Sequence, residues 1–236
     1  MSLTLIGTGV AFDLTLSAID SIKSSDETYI ETYTNPMNHS LFTKLESLVG
    51  KKIIHIPREK VESKFLIEKA KTKSICLLCS GDPMMATTHV TLLLDAKTAK
   101  VETKIIHNSS IFSVAMGKSG LQAYRFGKTA TLVNPRENYK PSSSLQIIRD
   151  NQAANAHTLV LLDTEPQPME AKYALEVLRE FDSAIVISKA GYLEEKMTYG
   201  KISDLIKRDL GIAPFCIIIP AKLHLVEEEY LENNKN

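Results

Sequence analysis

At 236 residues the chain is long for one small domain and suits two compact α/β lobes. Hydrophobic residues make up 44% and charged residues 24%, an ordinary balance for a chain with a sizeable core, and 28 basic side chains are matched by 28 acidic ones. Zero net charge removes the broad attraction of a general nucleic-acid binder, no apolar run approaches a bilayer span, and residues 1–7 lack a basic leader, so a cytoplasmic protein without membrane or direct nucleic-acid contacts is expected.

In chain order, residues 3–6 predict a first strand ending at Gly7-Thr8-Gly9. Asp13 is placed to cap a helix carrying Leu16, Ile19 and Ile22 on one side. Strands are expected at 28–32, 52–56, 74–79 and 102–106, with helices at 40–48, 63–71 and 88–97. Another helix begins near Ser110, for which Asn108, Ser109 and Ser110 are all suitable caps. After Gly117-Lys118-Ser119-Gly120 the character changes. Strands are expected at 130–133, 158–162, 184–188 and 215–219, and helices at 170–181 and 202–209. Two prolines and three consecutive serines make 134–144 read as a loop, and 227–236 as a charged tail. Short apolar runs alternating with longer periodic stretches are the signature of α/β architecture, here with an N-terminal lobe at 1–113 and a C-terminal lobe at 114–236.

Cys76, Cys79 and Cys216 are an odd count, which argues against a disulfide framework. Cys76-Leu77-Leu78-Cys79 matches C-x-x-C but lies in a strand, where residues three apart point to opposite faces. Without a second Cys/His pair no zinc site is completed, and buried core thiols are expected. The six histidines are scattered, no metal-ligand spacing stands out, and no serine sits in G-x-S-x-G, so metalloenzyme and hydrolase readings have little support.

Open parallel sheets bind ligands outside the C-terminal ends of their strands, so the residues following each strand decide the chemistry. Gly7-x-Gly9 alone is weak, because Phe12 stands where a dinucleotide fingerprint needs its third glycine. Gly117-Lys118-Ser119 lacks the upstream glycine of a P-loop, with Phe112 in its place. Gly81-Asp82-Pro83 is a stronger feature, with glycine allowing a sharp turn and proline ending the strand. By itself it reads equally well as a turn in which Asp82 only satisfies backbone amides. Small-residue loops after the first and fifth strands, brought to the same edge, favour a ligand site.

Taken together, these loops carry a resemblance. Gly81-Asp82-Pro83-x-x-Ala86-Thr87-Thr88-His89 and Ile106-His107-x-x-Ser110-Ile111 resemble the diphthine synthases, as do Gly120-Leu121-Gln122-x-Tyr124-Arg125-Phe126-Gly127-Lys128, His157-Thr158-Leu159 and Lys222-Leu223-His224 with Glu227 and Tyr230. Shorter matches are Glu31-x-Tyr33-Thr34 and Arg58-Glu59-x-Val61-Glu62. Gly-x-Gly and Gly-Asp-Pro are shared with the wider tetrapyrrole-methylase superfamily. The resemblance implies a two-lobed α/β class III methyltransferase fold that is not a Rossmann fold. It implies S-adenosyl-L-methionine in a cleft between the lobes, S-adenosyl-L-homocysteine as product, a homodimer, and translation elongation factor 2 as protein substrate. Carried over by motif, the cofactor contacts are Val10, Asp82, Met85, Ser110 and Ile111 in the first lobe. In the second they are Leu162, Ala190 and Phe215. The chain departs from the family in a shorter loop after Val10, in Tyr139 where a tryptophan is usual, in Phe215 where a histidine is usual, and in a short segment between Asp163 and Ala184. The substrate proton falls to solvent or to a side chain, for which Tyr33, His89 and Lys128 are candidates, and no catalytic residue is assigned. A tetrapyrrole methyltransferase of the same superfamily, or a binding module that keeps only the fold, are the competing readings.

Overall fold

The computed structural model describes residues 1–31, 33–34, 39–135 and 141–234. It divides into two compact units, Met1–Ile111 and Phe112–Asn236.

In the first unit β1 (Ser2–Gly7), β2 (Glu27–Glu31), β3 (Ile54–Ile56), β4 (Ser74–Cys79) and β5 (Glu102–Ile106) form one sheet in the order β3-β2-β4-β1-β5. Every neighbouring pair is parallel. Helices α1 (Leu16–Ser24), α2 (His39–Val49), α3 (Arg58–Val61), α4 (Phe65–Ala70) and α5 (Val90–Thr98) supply the crossovers. The two central strands are almost wholly apolar and buried, as a parallel sheet covered on both faces requires. Leu3, Leu5, Leu66, Leu77 and Leu92 are among the buried side chains of this core, each worth about 1.5–3 kcal/mol. At the edge, β5 exposes Glu102, Thr103 and Lys104, charged and polar groups that discourage pairing with another chain.

The second unit contains α6 (Ile111–Ser119, beginning at the boundary), β6 (Ala130–Leu132), α7 (Ser142–Ala153), β7 (Thr158–Leu162), α8 (Ala171–Val177), β8 (Ser183–Ser188), β9 (Lys196–Lys201), α9 (Ile202–Leu205), β10 (Phe215–Ile219) and α10 (Leu225–Asn233). Its sheet is mixed, in the order β6-β7-β10-β8-β9. Only β6 and β7 pair in parallel; β10 and β9 run against their neighbours. Leu132, Val160, Leu175, Val186 and Ile217 are buried in its core.

Several expectations need correction. The first helix is capped by Thr15, whose hydroxyl accepts from the Ala18 amide at 3.2 Å, not by Asp13. Its buried residues are Ala18 and Ile22, while Leu16 is 82% exposed. A spacing of three and three drifts around a helix, whereas Ala18 and Ile22, four apart, share a face. The helix expected at 63–71 is α4, trimmed to Phe65–Ala70, and an unforeseen short helix, α3 (Arg58–Val61), precedes it with Ser63 in the intervening turn. Helix α7 begins inside the stretch expected to be a loop, and α10 occupies most of the expected charged tail. Strand β9 carries no expected counterpart. Thr32, Tyr139 and part of the 134–144 loop lie outside the described residues.

Cys76, Cys79 and Cys216 are free and buried. The Cys76 sulfur meets the Ser21 carbonyl of α1 at 3.5 Å, while the Cys79 sulfur lies 3.7 Å from His89 Nδ1. The two thus leave the strand in different directions, as its alternation dictates.

Candidate functional site

Register places four strand ends of the first unit in one row. Gly7 lies beside Cys79, Ile6 beside Ile106, and Ile30 beside Leu78, so the segments that follow emerge together from one sheet edge. The first contact between them is backbone to backbone. Gly9 and Gly81 exchange two N–H···O=C hydrogen bonds, both 3.0 Å long. Gly81 has φ +70°, a conformation that glycine adopts without penalty.

Asp82 is the hub of this cluster and is 6% exposed. Its Oδ1 accepts from the Met84 amide at 2.9 Å. Its Oδ2 accepts from the Asn108 amide at 3.1 Å and lies 2.8 Å from His107 Nδ1. Asp82 therefore does cap its own turn, and it also fastens the loop after β4 to the loop after β5. Asn108 adds a third tie, donating from Nδ2 to the carbonyls of Gly7 at 3.0 Å and Asp13 at 2.7 Å. Ser109 Oγ accepts from the Val10 amide at 3.4 Å.

Two buried polar groups hold this edge from behind. The Glu31 carboxyl, 1% exposed, accepts from the Thr34 amide at 3.1 Å and the Ser80 amide at 3.4 Å. Burial pushes its pKa up against those hydrogen bonds. His89 closes the Gly81–His89 loop through Nδ1, 2.8 Å from the Pro83 carbonyl. A carbonyl only accepts, so Nδ1 carries the proton, and burial drives the ring's pKa down and keeps it neutral. Its buried Nε2 has no hydrogen-bond partner among the described residues.

Of the expected site residues in this unit, Val10, Asp82, Met85, Ser110 and Ile111 all lie on these loops. Val10 and Ile111 are half-buried, Asp82 and Ser110 buried, and Met85 exposed. In the second unit Cys216 pairs with Leu161, and Phe215 with Ser188. Leu162, Phe215 and the residues after Ser188 therefore also share one sheet edge, with Phe215 and Ala190 buried and Leu162 half-buried. Ala190 follows Lys189, held at φ 46° by its amide's hydrogen bond to the Pro214 carbonyl at 2.9 Å.

The proton-handling candidates fare differently. His89 is committed to the Pro83 carbonyl, and burial raises the pKa of the half-buried Tyr33 further above its ordinary value. Lys128 precedes β6, whose far end, Leu132, is the one that pairs with Leu162. The residue that sequence reasoning passed over is His107. Its side chain is 68% exposed although its Nδ1 is tied to buried Asp82. The signal was its position directly after a strand in the Ile106-His107-x-x-Ser110-Ile111 motif.

The remaining motif residues converge elsewhere, on a buried ion cluster. Glu227 accepts from the Gln122 amide at 3.0 Å and the His224 amide at 2.8 Å, meets His157 Nε2 at 3.3 Å, and is paired with Arg125. Arg125 also donates to the Lys222 carbonyl at 2.6 Å, and His157 Nδ1 accepts from the Ala221 amide at 3.0 Å. These residues bind the start of β7 to α10. They are a structural fastening at the opposite strand end from Leu162.

Among the described residues no group of three or more His, Cys, Asp or Glu is arranged to hold a metal, and no helix is long and apolar enough to cross a membrane.

Comparison with known proteins bears on these edges. A model of the Tetrapyrrole (Corrin/Porphyrin) Methylases matches residues 2–206. The diphthine synthase of Methanocaldococcus jannaschii is 42% identical over 239 residues, with 93% of each chain covered. That of Methanococcus aeolicus is 38% identical over 237 residues, covering 93% of this chain and 92% of its own. A crystal structure of diphthine synthase matches with a TM-score of 0.92 at 35% identity, covering 100% of this chain and 96% of that one.

Proposed function

The chain belongs to the diphthine synthases, within the tetrapyrrole methylases, and from that membership we infer that it methylates the modified histidine of translation elongation factor 2 during diphthamide biosynthesis, using S-adenosyl-L-methionine. The observation that carries the cofactor reading is the chemistry of the strand-end loops. Residues 7–13, 80–89 and 107–111 contain no lysine or arginine, so they bring no permanent positive charge to a phosphate, while Asp82 offers a carboxylate to a cationic ligand. Amides, hydroxyls and apolar side chains suit adenine, ribose and a thioether.

In this reading Val10, Asp82, Met85, Ser110 and Ile111 contact the cofactor from the first unit, and Leu162, Ala190 and Phe215 from the second. Phe215, where the family usually has histidine, packs by its ring and contributes through its backbone. The cofactor supplies an electrophilic methyl group on a sulfonium. The chain's residues position the substrate nitrogen behind that methyl and exclude water. Asp82, fixed by three hydrogen bonds, presents preorganised negative charge to the positive charge moving from sulfur to nitrogen. A homodimer in the cytoplasm, without nucleic-acid contacts, completes the proposal.

Labelled S-adenosyl-L-methionine incubated with the protein and elongation factor 2 carrying the unmethylated intermediate tests it. Label in the factor is expected. Cofactor binding without label in the factor would redirect the reading to another methyl acceptor, and binding of a porphyrinoid would point to the tetrapyrrole branch.

A further inference from the structure

We propose that His107, oriented by Asp82, is the group that takes the proton released by the substrate nitrogen during methyl transfer. The inference rests on the methyltransferase reading and adds to it a named proton acceptor.

The geometry is that of a base with a fixed tautomer. Asp82 Oδ2 lies 2.8 Å from His107 Nδ1 and also accepts from the Asn108 amide at 3.1 Å. A carboxylate oxygen there requires the proton to sit on Nδ1, which leaves Nε2 with its lone pair free. The carboxylate is buried while the ring is 68% exposed on its side chain, so the inner nitrogen is anchored and the outer one faces incoming molecules. When Nε2 becomes protonated, the imidazolium is held against an ionised carboxylate, the arrangement that makes a histidine effective as a general base. The other ionisable residues on the loops that meet it are Asp82 and His89 from the β4 exit and Asp13 from the β1 exit; His89 is buried and turned to the Pro83 carbonyl, and Asp13 is joined to Asn108 through its backbone carbonyl. No lysine or arginine stands in those loops to repel the imidazolium.

The step balances. The substrate ammonium gives one N–H proton to His107 Nε2, and the freed nitrogen lone pair forms the new N–CH3 bond. The S–CH3 bond breaks with its electron pair remaining on sulfur. His107, being exposed, then passes its proton to water. A primary amine methylated more than once releases one proton in each round, so a base that recharges from solvent serves every round.

His107→Gln and His107→Ala are the test, read by single-turnover methyl transfer to the elongation factor intermediate across pH 7 to about 10, with S-adenosyl-L-methionine affinity measured by calorimetry. His107→Gln is expected to transfer about 100-fold more slowly at pH 7, with cofactor affinity within about twofold of wild type. The deficit should close toward pH 9–10, where an amine of pKa about 8–10 loses its proton unaided. Added imidazole should restore part of the rate of His107→Ala. Three outcomes would overturn the assignment while leaving the methyltransferase reading intact: wild-type rates in the variants at pH 7, a deficit that neither pH nor imidazole relieves, or lost cofactor binding. If the wild-type protein binds cofactor but labels no factor, the functional reading fails and takes this inference with it.

Discussion

Replacing Gly7 with alanine strikes the point where the loop cluster closes. An ideal Cβ at Gly7 would lie 2.5 Å from the Gly81 carbonyl oxygen and 3.0 Å from both Asn108 Cβ and Pro83 Cδ. None of these is the tip of a flexible side chain, so the exits of β1 and β4 must part. The two 3.0 Å hydrogen bonds between Gly9 and Gly81 span that crossing. Overpacking of this kind costs about 1–3 kcal/mol, and weakening the pair adds roughly 1 kcal/mol. A total of about 2–4 kcal/mol corresponds to a fall in melting temperature of roughly 4–16 °C for a chain of this size. Because Asp82 follows Gly81, cofactor affinity should fall with it. Gly81→Ala is the control. It forces a side chain onto φ +70°, but its nearest neighbours lie at 3.7 Å, so strain of about 1–2 kcal/mol is expected without displacement of the loops. Thermal melts and calorimetric titration with S-adenosyl-L-methionine decide the matter. A Gly7→Ala protein that melts within about 2 °C of wild type and binds cofactor normally would refute the steric account.

Glu227→Ala should destabilise the protein by about 3–5 kcal/mol in urea melts, because it strands Arg125 and removes the acceptor for His157 and two amides. The same cluster predicts a pH dependence. Burial, outweighing the nearby Glu227 charge, holds His157 below its ordinary 6.5. Burial pushes Glu227 up, but the His224 and Gln122 amides and His157 outweigh it and hold Glu227 below its ordinary 4.5. Both contributions are complete above those ordinary values and are lost as pH falls toward the depressed ones. Urea midpoints should drop from pH 7.5 to 5.5, and less so in His157→Gln; an equal drop in both proteins would count against this origin. Burial raises Cys76 to about 11 and Cys216 to about 12, and also raises Cys79. A disulfide reagent at pH 7.5 should label all three within the mixing time only after unfolding, and fast labelling of the native protein would contradict the burial. Glu180→Ala, which removes the exposed pair with Arg149, should leave the melting temperature unchanged within error.

The parts of the fold legible in the sequence were those where burial and local pattern agree. Strands β4, β7 and β10 follow their apolar runs to within one residue at either end. Strand β9 was invisible because Lys-Met-Thr-Tyr-Gly-Lys is an edge strand with one polar face and little apolar alternation. Helix α10 was hidden by its chemistry. Its buried residues are Leu231 and Glu227, and a carboxylate at a core position is read from sequence as solvent-facing until Arg125 and His157 are seen beside it. Asp82 could be read as important from Gly-Asp-Pro, yet its grip on His107 spans 25 positions and exists only through the order of the strands. Strand order is set by tertiary packing, so the pairing had no local signature.

The most direct measurement is tandem mass spectrometry of elongation factor 2, isolated with the unmethylated intermediate and treated with this protein and S-adenosyl-L-methionine. The account predicts added methyl groups on the side-chain nitrogen of the modified histidine and on no other residue. An unmodified factor, or methyl groups carried at another site, would contradict it.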